Sequence, residues 1–234
     1  MRIARGSLSD VARDGAATRR LVDHLAESGE PVLRVWTPPR QVPFGRRDAA
    51  ADGYERARRA ASERGFEPVE RSVGGRAVAY TGETVAFVYA VAKGGERDGI
   101  QRRYREATDL LQGAFRDLGV TVRRGEPNGA FCPGAHSLQH EGKIAGLAQR
   151  VRRDHAVVGG CLVALERDED AIASVLEPVY DALSVPFDPA AVGSVEGAGG
   201  PGSVDAVSEA IEAAFLGDRE AHVAAASDLV DDAP

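Results

Sequence analysis

The sequence predicts an α/β fold: a central sheet covered by helices over residues 1–165, followed by a helical C-terminal extension over 166–234. Three observations point there. Strand-like runs outnumber helical ones as far as Leu165, and helical periodicity dominates from Asp168 onward. The run Val85-Ala-Phe-Val-Tyr-Ala-Val91 is apolar on both alternating faces, the pattern of a strand buried on each side. Amphipathic stretches close on Gly29, Gly65 and Gly119, residues that end helices readily.

The first helix spans 10–28, with Val11, Ala17, Leu21, Val22 and Leu25 near helical spacing. Pro31–Trp36 reads as a strand that stops at Pro38-Pro39, because proline donates no ladder hydrogen bond. Ala49–Arg64 is a helix candidate. Phe66–Arg71, Arg76–Tyr80 and Thr84–Ala92 read as strands. Ile100–Leu118 returns to helical period, Val120–Arg123 is a short strand, and Ser137–His140 with Lys143–Val151 form a hairpin about Glu141-Gly142. Ala156–Leu165 is a buried strand. Beyond it, Gly193–Gly202 reads as a flexible linker, and Val204–Leu216 and Arg219–Val230 as small helices.

Of 234 residues, 43% are hydrophobic and 28% charged, values of an ordinary globule. A net charge of −7 argues against a nucleic-acid surface, and no apolar run approaches the roughly 20 residues that span a bilayer. The N-terminal residues lack a secretory apolar core, so a cytoplasmic protein is expected, with Cys132 and Cys161 as free thiols. The basic residues are almost all arginine; Lys93 and Lys143 are the two lysines.

Three segments carry candidate chemistry. In Arg71-Ser-Val-Gly-Gly-Arg-Ala-Val-Ala-Tyr80 the paired glycines suit either a tight hairpin or a backbone loop that approaches a ligand. Asn128-Gly-Ala-Phe-Cys-Pro-Gly-Ala135 sets Cys132 in a turn, where it is either an unremarkable thiol or a reachable nucleophile. Cys161, on an apolar strand, reads as a buried small hydrophobe. Gly142-Lys-Ile-Ala-Gly-Leu-Ala-Gln149 begins a strand of small residues with a lysine. That lysine is a solvated turn residue unless its position needs a compact ammonium able to lose its proton. Neither cysteine has a Cys-x-x-Cys partner and the histidines are scattered, so no metal site is expected.

In this order the three segments resemble the lipoate and octanoate protein ligase and transferase family, relatives of biotin protein ligases. Arg71–Val78 resembles its Arg–Gly-Gly acyl-binding loop and Gly142–Ala148 its catalytic-lysine motif; Gly129-Ala-Phe-Cys-Pro-Gly134 resembles the branch in which a cysteine carries the acyl group, the octanoyl/lipoyl amidotransferases. The likeness covers about residues 10–165, and Tyr80 stands where members often carry histidine. It implies a mixed, largely antiparallel sheet flanked by helices, as in class II aminoacyl-tRNA synthetases and biotin protein ligases. It implies catalytic roles for Cys132 and Lys143, and substrate binding by Arg71, Ser72, Gly74, Gly75, Arg76, Ala77, Tyr80, Gly142, Ala145 and Gly146. The activity implied is transfer of a C8 acyl group through a cysteine thioester to a lysine of a lipoyl domain, with no cofactor required. The implied partners are the glycine-cleavage H protein, a 2-oxoacid dehydrogenase E2 or an acyl carrier protein. The alternatives are an ATP- and Mg-dependent lipoate–protein ligase, in which Cys132 is incidental, and a non-catalytic module that binds lipoylated domains.

Overall fold

The computed structural model describes residues 1–71, 75–93 and 99–231. Its elements in chain order are β1 (Arg2–Arg5), α1 (Val11–Ser28), β2 (Val32–Trp36), β3 (Gln41–Phe44), α2 (Arg46–Ala49), α3 (Tyr54–Ser62), β4 (Glu67–Glu70), β5 (Val85–Ala92), α4 (Gly99–Asp117), β6 (Arg123–Arg124), β7 (Ser137–Gln139), β8 (Lys143–Val151), β9 (His155–Leu162), α5 (Arg167–Ala182), α6 (Val204–Leu216), β10 (His222–Ala225) and α7 (Asp228–Asp231). Eight strands make one sheet in the order β10-β1-β2-β5-β9-β8-β7-β6. β1 runs parallel to both its neighbours and every other pairing in that sheet is antiparallel. β3 and β4 pair in parallel as a small second sheet.

Local chemistry explains the helices that hold this sheet. Asp10 caps α1 by accepting from the Arg13 amide, Ala17, Leu21 and Leu25 bury one face against the sheet, and Gly29 ends the helix at φ 73° with its N–H on the Leu25 carbonyl. α4 and α6 cover the opposite face. Ser203 caps α6, and its buried Val207, Ile211 and Phe215 recur every fourth residue. Phe215 packs 5.0 Å from Phe87 of β5, and each such buried side chain contributes about 1.5–3 kcal/mol. A second core, between α3, α5 and the small sheet, includes Phe44, Phe66, Val175, Val179 and Tyr180.

Between α1 and β2 lies a buried ion pair. The fully buried Arg34 donates to Asp14 Oδ1 at 2.6 Å, to the Thr18 hydroxyl at 2.6 Å and to the carbonyls of Asp14 and Gly6. Trp36 Nε1 donates to the other Asp14 oxygen at 2.8 Å. Burial lowers the Arg34 pKa, with Asp14 opposing.

Four expectations are corrected. Arg76–Tyr80 is no strand: Val78 N–H donates to the Pro43 carbonyl and Tyr80 bridges Gln41, so this segment lies beside β3 on the edge away from β4, and the tight-hairpin reading falls with it. Ala49–Arg64 is not one helix, because the chain turns over 50–53 between α2 and α3. Arg219–Val230 is not one helix: it holds β10, with the short α7 only at its end, since parallel pairing with β1 outweighs an alanine-rich local preference. The glycine-rich stretch 193–202 is packed: Val195 is fully buried, and the Val195 and Glu196 amides donate to the carbonyls of Val163 and Ala164. Residues after 165 are therefore woven into the same structure, supplying an edge strand of the main sheet and, through α6, part of its core. None of the described helices is long and apolar enough to cross a membrane.

Candidate active site

A cavity of about 380 Å³ opens beside the middle of the main sheet, between β5, β8 and β9 on one side and the Arg71 and Cys132 loops on the other. That volume suits a small organic ligand, and the wall is mainly apolar: Trp36, Val78, Val88, Phe131, Leu147 and Val157 are among its residues. Arg71, Tyr80, Cys132, Lys143, Gly146 and Cys161 supply its chemistry.

Cys132 sits in the left-handed region at φ 43°, a conformation that costs a non-glycine residue about 1–2 kcal/mol. Its amide donates to the Tyr180 hydroxyl at 2.5 Å, and that hydroxyl donates to the Ala77 carbonyl at 2.9 Å. Its sulfur lies 3.4 Å from Arg71 Nη2, which also donates to the Arg76 carbonyl at 2.5 Å. A Cβ added at Gly75 would stand 3.5 Å from the same sulfur, so the second glycine of the pair borders the thiol. Burial works against the Arg71 charge, but the neighbouring Cys132 sulfur and Tyr80 hydroxyl outweigh it and raise the Arg71 pKa.

Lys143 opens β8 with its side chain 1% exposed. Nζ donates to Glu126 Oε1 at 2.8 Å and to the carbonyls of Phe131 and Cys132, each at 2.9 Å. Three acceptors match the three N–H groups of an ammonium. Glu126 also ties down the Cys132 loop, accepting from the Gly134 amide at 3.2 Å and from the Ser137 hydroxyl. A Cβ at Gly146 would come within 3.0 Å of Lys143 Cε, so a glycine there leaves the lysine its room.

Cys161 is buried, as expected, yet it also lines the cavity; burial pushes its thiol pKa up to about 12. Burial likewise raises the Tyr80 pKa, and the neighbouring Cys161 thiol adds to the rise.

The structure thus gathers Cys132, Lys143, Arg71, Gly75, Tyr80 and Gly146 around one space. Ser72 and Gly74 lie outside the described residues. Of the other expected binding residues, Arg76, Ala77, Gly142 and Ala145 are not on the cavity wall. Arg76 turns to Asp48 in a 2.9 Å ion pair, Ala77 is buried in the second core, and Ala145 is buried in the main core. Gly142 is pressed against the backbone of Val192 and Gly193, where a Cβ would meet the Val192 carbonyl at 2.6 Å. Neither Glu126 nor Tyr180 belongs to the three segments that carry candidate chemistry. Glu126 lies in a turn-rich stretch that reads as a loop, and Tyr180 reaches the site from α5, 48 residues further along the chain.

The family model for the lipoyl protein ligase A/B catalytic domain matches residues 10–216. The chain belongs to this family. Among curated relatives, an octanoyl-[GcvH]:protein N-octanoyltransferase from Exiguobacterium sp. is 31% identical over 153 residues, covering 64% of this chain and 53% of the relative. The octanoyltransferase LipM of Kyrpidia tusciae is 28% identical over 83% of this chain and 78% of its own length. The chain spans about half the length of the first curated relatives it matches. Among solved structures, lipoate-protein ligase A bound with ATP superposes with a TM-score of 0.76 over 99% of this chain and 94% of the other at 19% identity. A bipartite lipoate protein ligase from Thermoplasma acidophilum gives 0.72 over 99% and 92% at 18%. At these identities the superpositions establish the fold, the mixed and largely antiparallel sheet flanked by helices that the lipoyl ligase family shares.

Proposed function

We propose that this member of the lipoyl ligase family is an acyltransferase that carries an octanoyl or lipoyl group as a thioester on Cys132 and passes it to a lysine of a lipoyl domain. The observation that carries this reading is the placing of the Cys132 sulfur on the cavity wall, 3.4 Å from the Arg71 guanidinium, in a loop whose carbonyls anchor Lys143. The names of the curated relatives add support, since most of those with significant similarity are octanoyl-[GcvH]:protein N-octanoyltransferases.

In the first half-reaction the Cys132 thiolate attacks the acyl carbonyl, a C–S bond forms, and the donor's thiol or amine leaves with a proton. In the second, the acceptor lysine amine attacks the thioester, an amide bond forms, the C–S bond breaks, and the amine proton is lost to base. Two easier steps replace one hard one. The Arg71 guanidinium faces the Cys132 sulfur, where it can meet the charge that develops on the acyl oxygen. With its three N–H groups committed to acceptors, Lys143 serves as a fixed ammonium that orients the Cys132 loop rather than as the proton acceptor. The apolar wall takes the C8 chain, whose burial contributes up to about 6 kcal/mol of gross binding energy. Beside the site, Arg46 borders a second cavity with Glu70 and Arg71. A basic rim of this kind steers an acidic partner, and we assign that partner as a lipoyl domain such as the glycine-cleavage H protein or an E2, with an acyl carrier protein as a further donor.

The test is an incubation with octanoylated lipoyl domain or acyl carrier, without ATP, read by intact mass. An octanoyl adduct on Cys132 that hydroxylamine removes, and that C132A lacks, is the expected result. Acylation that strictly requires ATP and releases pyrophosphate would replace the transferase with an adenylating ligase, and turnover under neither condition would leave only a binding module.

A further inference from the structure

We infer that Tyr180 is a positioning residue for the Cys132 thiol: its hydroxyl, delivered from α5, holds the cysteine in the left-handed backbone conformation that sets the sulfur against Arg71. This rests on the reading of Cys132 as the acyl-accepting group. The Tyr180 side chain is fully buried, and its hydroxyl ties together the two segments that frame the cavity. It accepts from the Cys132 amide at 2.5 Å and donates to the Ala77 carbonyl at 2.9 Å.

These bonds belong to a closed circuit. From Ala77 the chain steps back to Arg76, whose carbonyl receives Arg71 Nη2 at 2.5 Å, and that same nitrogen faces the Cys132 sulfur at 3.4 Å. The path thus leaves Cys132 at its amide and returns at its sulfur, with Tyr180 the one member contributed by α5. A left-handed cysteine persists only when its surroundings hold it there. Without the Tyr180 oxygen, the Cys132 amide loses its partner and the backbone relaxes toward negative φ, which swings the sulfur off the guanidinium. The bond has a second consequence. Because the Cys132 amide is committed to Tyr180, it is not a donor for the oxyanion of the tetrahedral intermediate, and the Arg71 guanidinium beside the sulfur is a cation that can meet that charge.

Y180F removes a single oxygen and separates this role from bulk packing. At neutral pH and well below the melting temperature, alkylation of Cys132 by iodoacetamide is expected to slow about tenfold, since the sulfur loses the cation beside it. Peptide mass mapping distinguishes Cys132 from Cys161, whose raised pKa keeps it unlabelled. In the acyl-adduct assay the capture rate should fall by a similar factor at unchanged half-saturation by the donor. A merely structural tyrosine predicts the reverse, faster alkylation from a loosened loop; an unchanged or increased rate overturns the inference. If Y180F does not fold, amide hydrogen exchange in the unsubstituted protein decides, with slow exchange at Cys132 expected and fast exchange overturning it. Should the unsubstituted protein form no acyl adduct while Y180F still slows alkylation, the transferase reading fails and the positioning role stands.

Discussion

Replacing Glu126 with glutamine tests how the site holds its buried cation. Lys143 is 1% exposed and Glu126 21%, so the substitution strands an ammonium in the interior with two carbonyls and no counter-ion. Removing one partner of a fully buried pair costs about 3–5 kcal/mol. Partial exposure of Glu126 and the two surviving carbonyl bonds reduce this to about 2–3 kcal/mol, and at 2–4 °C per kcal/mol for a chain of this size the melting temperature falls by about 4–12 °C. The cost belongs to the charge. In a K143M background no ammonium remains to strand, and the same Glu126→Gln change should cost no more than about 0.5 kcal/mol, because glutamine keeps an oxygen for Gly134 and Ser137. Urea unfolding of the four proteins gives the coupling directly, expected near 2 kcal/mol. If E126Q costs the same with and without Lys143, the carboxylate is holding the loop through Gly134 and Ser137 alone and the argument from charge is refuted.

Three other outcomes follow from the geometry. G146A should cut acyl capture by Cys132 at least about tenfold while lowering stability by no more than about 1 kcal/mol, because the added methyl displaces the end of Lys143 rather than backbone; capture kinetics beside a melting curve will show whether the two effects separate. D14A should cost about 3–5 kcal/mol, since it leaves the fully buried Arg34 without its carboxylate and Trp36 without its acceptor; a loss under 1 kcal/mol in urea unfolding would contradict this. D168N should stabilise at neutral pH. Asp168 Oδ2 is buried without a partner and burial raises its pKa, so ionisation penalises the folded state as pH rises through the unfolded value of about 4, fully so above the folded pKa. The gain over the unsubstituted protein should therefore be present at pH 7 and vanish near pH 3.

Much of the scaffold was legible because single elements carry their own signal. α1, α4 and α6 announce themselves by apolar period and by caps such as Asp10 and Ser203, and the β8–β9 pair by runs of small and branched residues. β10 was not legible: His222–Ala225 has an alanine-rich composition, and only a partner strand at the other end of the chain makes it extended. The same holds for 193–202, where glycines that read as slack serve close packing; Gly200 has no room for a Cβ beside Val120 and Val195. At the site, Cys132, Lys143 and Arg71 stood out as motif residues. Glu126 and Tyr180 give no sign, because their importance lies in what they touch across the fold, and Arg76, Ala77, Gly142 and Ala145 lie off this cavity's wall because proximity in a motif does not decide which way a residue faces.

The pairing of residues 2–5 with 222–225 also governs how the chain is born. During synthesis β1 leaves the ribosome well before β10 and can bind β2 early, yet its outer rim of amides and carbonyls goes uncovered until β10 has emerged. Throughout that interval the nascent molecule carries an open sheet border able to recruit a neighbour's strand, so slow or interrupted translation is the stage at which this protein is most exposed to aggregation.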